Sequence, residues 1–378
     1  MGDRAVAGRI DALMGMARAA ALGPGRVAIL EEAVRVADAH ADLRRAWDAR
    51  IQLIHAATFA DEPEKLFAPF AWCLAQSDRE PQKFPDEGLF WSFKWVVSNA
   101  TQLLRVALPP LLAMVDEMER RFLRHGVGRR SVWNAKLNLA MFRGDRQGLR
   151  EAYRQWERSP LDSYTDCPAC EQDGRVEYQL FEGRDEAAVE AAEPILSGRL
   201  ACRVITGRSY NRILLPLVRV GRVRDAMSYH RKGFRLLSQP GTHLCDAARH
   251  ITFLVVTDNL PRALKLFETH LPQPREGVTS GRAEQFEFAL AARLLMARVA
   301  SSRKSPLPLR LREGFPGYER SGRYDPAALA DHFDAEARRV ATLFDARNGT
   351  PHFARQVEAA SGLTEFVRPY PLRGTPSG

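Results

Sequence analysis

The chain has 378 residues, 45% of them hydrophobic and 27% charged, which is material for a large core without the long polar tracts of a disordered protein. No apolar run approaches the roughly 18 residues that a membrane-crossing helix needs, and the start, MGDRAVAGRID, lacks the apolar core and cleavage pattern of a signal peptide, so a cytoplasmic chain is expected. Fifty-five basic residues against 46 acidic give +9; the arginines are interspersed with acids, as in DEMERRFLRHGVGRR, which speaks against nucleic acid as a partner.

In chain order, LGPGRVAILEEAVRVADA has Leu30 five places after Gly25, and LIHAATFADEPEKLFAPFAWCL has Ile54 seven before and Leu66 five after Asp61. The stretch FWSFKWVVSNATQLLRVALPPLLAMVDEMERRFL reads as two helical runs about an irregular pivot. Phe90, Trp91, Phe93 and Trp95 cluster on the first of these. They suit the packed seam between helices better than a stacking platform for a ligand.

From residue 130 the chain repeats itself. The pivots Gly144, Gly183, Gly221 and Asp258 follow one another at 39, 38 and 37 residues, a period expected of helical hairpins. Apolar residues stand at helical spacing before each pivot: Leu137, Ala140 and Met141; Val176 and Leu180; Leu214, Leu217 and Val218; Ile251, Leu254 and Val255. Five places after each pivot comes Leu149, Ala188, Ala226 or Ala263, and then a second amphipathic run. Each unit therefore reads as a helix, a tight turn and an antiparallel second helix, with the small residue allowing close approach. One hairpin cannot cover its own apolar face, so neighbours must stack. About seven hairpins are expected, the last at residues 283–300 with a poor partner.

A turn glycine followed five places on by a small residue resembles the tetratricopeptide repeat (TPR), over roughly residues 5–300. The segments FAPFAWCL, FWSFKWVVS, DCPAC and GRDEAAVEAAEPILSGRLAC are similar to those of an uncharacterised group of bacterial TPR-like proteins. The periods exceed the common 34 residues, and the Trp and Tyr of the usual first helix are mostly absent. The resemblance implies an all-α fold, a right-handed superhelix of stacked antiparallel hairpins, with residues 1–300 as the repeat domain.

After residue 300, SSRKSPLPLRLREGFPGYERSGRYDP has the composition of a Pro/Gly/Arg-rich loop, residues 301–325. An Asp-Pro start signal then opens a helical run through Leu329, Phe333, Ala337 and Val340 that stops near Asn348-Gly349. Residues 326–362 are read as C-terminal capping helices and 363–378 as a flexible tail.

The candidate chemistry is carried by cysteines. Cys167 and Cys170 form a C-x-x-C pair at the entry of one helix, and Cys202 lies just past the second helix of the same hairpin. Antiparallel helices return the chain to its starting level, so the three sulfurs should meet. Two readings stand: free cysteines packed as small hydrophobes, and three ligands of a structural zinc ion. The fourth zinc ligand is missing from the pattern, with Asp166 and His125 as candidates. A thioredoxin-type redox pair lacks its βαβ setting, and a stable disulfide does not suit the cytoplasm. His243, Cys245 and His250 invite a thiol nucleophile with its base, but five residues place Cys245 and His250 on different helix faces.

Six and ten places before the pivots stand Asn138 and Asn134, Glu177 and Asp173, then Asn211, with Arg208 further up. In a curved repeat array these line the inner wall, where amides can hydrogen-bond the backbone of an extended peptide and charged groups set its charge pattern. The leading reading is a non-enzymatic scaffold that binds a protein or peptide there. The alternative is a regulatory receptor in which a small molecule or peptide changes partner binding.

Overall fold

The computed structural model describes residues 3–60, 62–202, 205–237, 244–271, 283–302 and 306–372. The chain is helical almost throughout, and no helix among the described residues is long and apolar enough to cross a membrane. It divides into two compact units: residues 1–142 with 146–165, and 143–145 with 166–378. The division falls inside the stretch read from sequence as one repeat domain.

The first unit holds α1 (Asp3–Ala19), α2 (Pro24–Ala39), α3 (Leu43–Phe59), α4 (Phe67–Arg79), α5 (Phe90–Gln102), α6 (Leu108–Arg124), α7 (Arg129–Arg143) and α8 (Arg146–Arg158). Proline opens α2 and α6, where its missing N–H has no helical partner to lose. Gly25 falls within the first turn of α2 and is not a pivot; Asp61 lies outside the described residues. Aromatic rings fill the core, with Phe90 against Phe122 at 4.3 Å and Phe70 against Phe93 at 4.7 Å between centroids. Beside them Arg121 is buried among Asp86, Asp78 and Glu117, and Ser77 donates to Asp86. Arg130, at the start of α7, donates to the carbonyls of Trp156 and Ser159 at the end of α8, which sets these helices antiparallel.

The second unit continues with α9 (Pro168–Phe181), α10 (Asp185–Leu196), α11 (Ile205–Arg212), α12 (Leu214–Arg219), α13 (Val223–Phe234), α14 (Leu244–Val256), α15 (Leu260–His270), α16 (Ala283–Ser302), α17 (Pro326–Asn348) and α18 (His352–Ser361). Consecutive helices pack as pairs, α9 with α10, α12 with α13 and α14 with α15, and each pair touches the next. All four expected pivots, Gly144, Gly183, Gly221 and Asp258, have positive φ. Asp258 bears that conformation without glycine's freedom, and its carboxylate pairs with Arg298 at 2.9 Å. Leu149, Ala188, Ala226 and Ala263 are fully buried five places on.

Three details differ from the sequence reading. The first helix of the third hairpin is broken at Ile213 into α11 and α12, because Pro216 has no N–H to give and its ring crowds the carbonyl four residues back. The stretch 306–325 is more than a loop: β1 (Leu307–Pro308) pairs antiparallel with β2 (Arg323–Tyr324), and Leu307, Leu309, Leu311, Phe315 and Tyr324 are buried. The supposed flexible tail is fastened through Leu372, with the amides of Arg368 and Tyr370 donating to Val256 and Thr257 carbonyls and Leu372 N to Asn259 Oδ1. Residues 373–378 lie outside the described residues.

The C-terminal helix follows its start and stop signals. Asp325 accepts from Ala327 N, Gly349 ends α17 in the left-handed conformation, and Leu329, Phe333, Ala337 and Val340 are buried. α17 lies along α16 and is the partner that residues 283–300 seemed to lack in sequence.

Candidate metal centre

Cys167 is the N-cap residue of α9, followed by Pro168 in its first turn, so Cys170 lies one turn along on the same end of the helix. Gly183 reverses the chain into α10, and after the turn at Gly198 the backbone reaches Cys202. Cys202 is anchored by Thr206 at the start of α11: Thr206 Oγ1 donates to the Cys202 carbonyl at 3.0 Å, and Thr206 N to the same oxygen at 3.2 Å. The hairpin thus brings the three thiols to one end, as the repeat register requires.

The sulfurs of Cys167 and Cys170 are 3.4 Å apart, those of Cys170 and Cys202 3.8 Å, and all three lie within 4.8 Å of one another. Around a tetrahedral Zn²⁺ with Zn–S bonds of about 2.3 Å, sulfurs stand roughly 3.8 Å apart. The trio can therefore hold a metal ion without rearranging the backbone. Cys167 is exposed and the other two are half-buried, which leaves a path for an ion to enter. Burial first, and then the neighbouring Cys167 and Cys202, push the Cys170 thiol well up. A bound cation reverses that balance, because coordination favours the thiolate. Among the described residues the cluster contains no fourth donor. Asp166 is not part of it, and His125 bonds Asp86 and Glu87 within the first unit.

The residues assigned to a groove are placed differently. Asp173 and Asn211 are buried. Asp173 accepts from Ser209 Oγ at 2.6 Å and pairs with Arg212, which also pairs with Glu177. Burial works against the charge of Arg212, but Glu177 and Asp173 hold its guanidinium above its ordinary range. These acids clasp one hairpin to the next, and Asp173 and Asn211 are not free to touch a partner. The pattern that would have revealed the clasp is an acidic pair four residues apart on one helix, with an arginine one repeat later. Asn138 donates to Asn134 within α7 at 3.3 Å, both half-buried, and Arg208 is exposed.

Cys245 and His250 do not meet. Cys245 lies 4.0 Å from Glu284, and burial pushes its thiol well up, while His250 bonds His230. His243 lies outside the described residues. The aromatic cluster on α5 splits: Phe90 and Phe93 are core, whereas Trp91 is 36% exposed and Trp95 half-buried. Trp95 meets His55 and Phe59 of α3 at 5.3 and 6.0 Å between centroids, Lys94 sits 3.9 Å above the Trp91 ring, and Phe59 is 40% exposed.

Compared with known proteins, the chain matches no family model, no curated protein and no solved structure.

Proposed function

We propose that this chain is a non-enzymatic, TPR-like scaffold that holds a segment of another protein, with a structural zinc ion at Cys167, Cys170 and Cys202 fastening the hairpin of α9 and α10 to the start of α11. The observation that carries the binding reading is the row of Phe59, Trp95 and Trp91 at the surface of α3 and α5. Large rings left in water are costly, and aromatic side chains with a cation among them are the usual anchors of protein interfaces. Support for the hairpin reading comes from the four positive-φ pivots and the buried small residues five places beyond three of them. Support for zinc comes from three sulfurs at near-tetrahedral spacing, a donor set that favours soft and borderline cations.

Retention of partners from an extract of the native cell tests the binding reading. The full chain should retain a defined protein, and the double variant Phe59→Ser with Trp91→Ala should retain about tenfold less at unchanged melting temperature. Equal retention by both would remove the aromatic row from the account.

A further inference from the structure

Helices α1 and α3 of the first unit border a cavity of about 420 Å³ that opens to solvent. Helical spacing builds its walls. Asp11, Met14 and Arg18 stand three and four residues apart on one face of α1, and Arg45, Asp48 and Gln52 do the same on α3. Met14 and Trp47 are buried against the cavity and Ile51 is half-buried, so part of its lining is apolar.

The charged groups of the walls are not equally committed. Arg45 donates to both oxygens of Asp11 at 2.9 Å and to Asp42 at 3.0 Å, which closes that pair. These bonds, and at longer range the charge of Arg18, hold the Asp11 carboxyl below its usual range. Arg18 itself is exposed, and no hydrogen bond or ion pair within the described residues engages it. Asp48 is held by Arg44 alone, 3.3 Å away and one turn back on α3, in an exposed pair of the kind that contributes little. The Gln52 Oε1 is buried and has no hydrogen-bond partner.

We infer that this cavity binds a free α-amino acid with an apolar side chain. Arg18 takes the carboxylate, Asp48 the ammonium group, and the Gln52 amide adds a hydrogen bond, while the side chain lies against Met14, Trp47 and Ile51. One available charge of each sign matches a zwitterion, whereas a simple anion or cation answers only one of them. The guanidinium fork presents two N–H groups to the two carboxylate oxygens. Ligand pockets run from about 300 to 1,000 Å³, so this one is at the small end and suits a molecule of that size. The site is independent of the metal centre and of the aromatic row.

Equilibrium dialysis of the full chain against L-leucine, L-methionine and L-phenylalanine tests it. At least one of them should saturate the chain near one equivalent. Its N-acetyl derivative and its amide, which each lack one charge, should bind at least about tenfold more weakly. Arg18→Gln and Asp48→Asn alter solvent-exposed groups without a strong partner, so the fold should be kept, and each should lower affinity at least about tenfold. In Arg18→Gln the amino acid and its amide should bind alike, because the group that tells them apart is gone. No saturable uptake of any of the three by the wild-type chain below about 10 mM, derivatives that bind as tightly as the parent amino acid, or uptake unchanged in both variants would overturn the site.

Discussion

The Nδ1 atoms of His230 and His250 stand 2.8 Å apart inside the second unit, one on α13 and one on α14. Only one proton can lie between them, so at most one of the two rings can be charged and each tautomer depends on the other. Burial, then Arg262 and Arg231, holds His230 down to about 4; burial, then His230, His270 and Arg249, holds His250 well below the usual imidazole range. His270 on α15 is also lowered by burial.

Acid should therefore destabilise this unit. The folded pKa lies below the unfolded one, so the unfolded chain takes up protons first. Stability is complete above the ordinary histidine pKa near 6.5 and is lost as pH falls toward 4. His230 alone accounts for about 2 kcal/mol between pH 7.5 and 5. Urea unfolding at the two pH values should show at least this loss, and a smaller one in His230→Phe. An identical loss in the variant would contradict the assignment.

The ion cluster at Arg212 gives a second prediction. Replacing Arg212 by Met strands Asp173 beneath the surface and should cost about 3–5 kcal/mol. Asp173→Asn keeps an acceptor for Ser209, so the double variant should be less destabilised than the sum of the two single changes. Additive losses in a double-mutant cycle would show that the pair does not act as a unit.

How much was legible in sequence follows from these residues. Gly144, Gly183, Gly221 and Asp258 could be read as turns because only a few residue types accept positive φ, and the meeting of Cys167, Cys170 and Cys202 followed from hairpin register alone. Asp173 and Asn211 could not be read correctly. A polar residue one face away from the apolar stripe reads as exposed, but Asp173 is buried once the next hairpin supplies Arg212, and Asn211 is covered by Gly233 on the second helix of its own hairpin. The hydrogen bond from Thr350 to the Arg143 carbonyl joins residues some two hundred positions apart, beyond the reach of any local pattern. The break at Ile213 was visible in Pro216, where the helical period outweighed the proline in the reading.

The fastening of the C-terminal segment is a third test. Asn259 Nδ2 donates to the Tyr370 carbonyl at 3.0 Å, and its Oδ1 accepts from Leu372 N at 3.1 Å. Asn259→Ala removes both bonds. Hydrogen exchange followed by mass spectrometry should show the amides of Arg368, Tyr370 and Leu372 protected in the wild-type chain and exchanging at least about tenfold faster in the variant. Unchanged protection would mean that the segment is held by other contacts.

Zinc content is the most direct measurement of the central claim, that Cys167, Cys170 and Cys202 form a metal clasp on a helical hairpin. Protein prepared without a histidine tag, with zinc present during expression, should carry about one zinc per chain by elemental analysis. Cys202→Ser should carry less than about a tenth of that and unfold at lower temperature. Wild-type protein with less than about a tenth of an equivalent of zinc, and a melting temperature unmoved by added zinc or by a chelator, would contradict the clasp and leave the three thiols with a packing role alone.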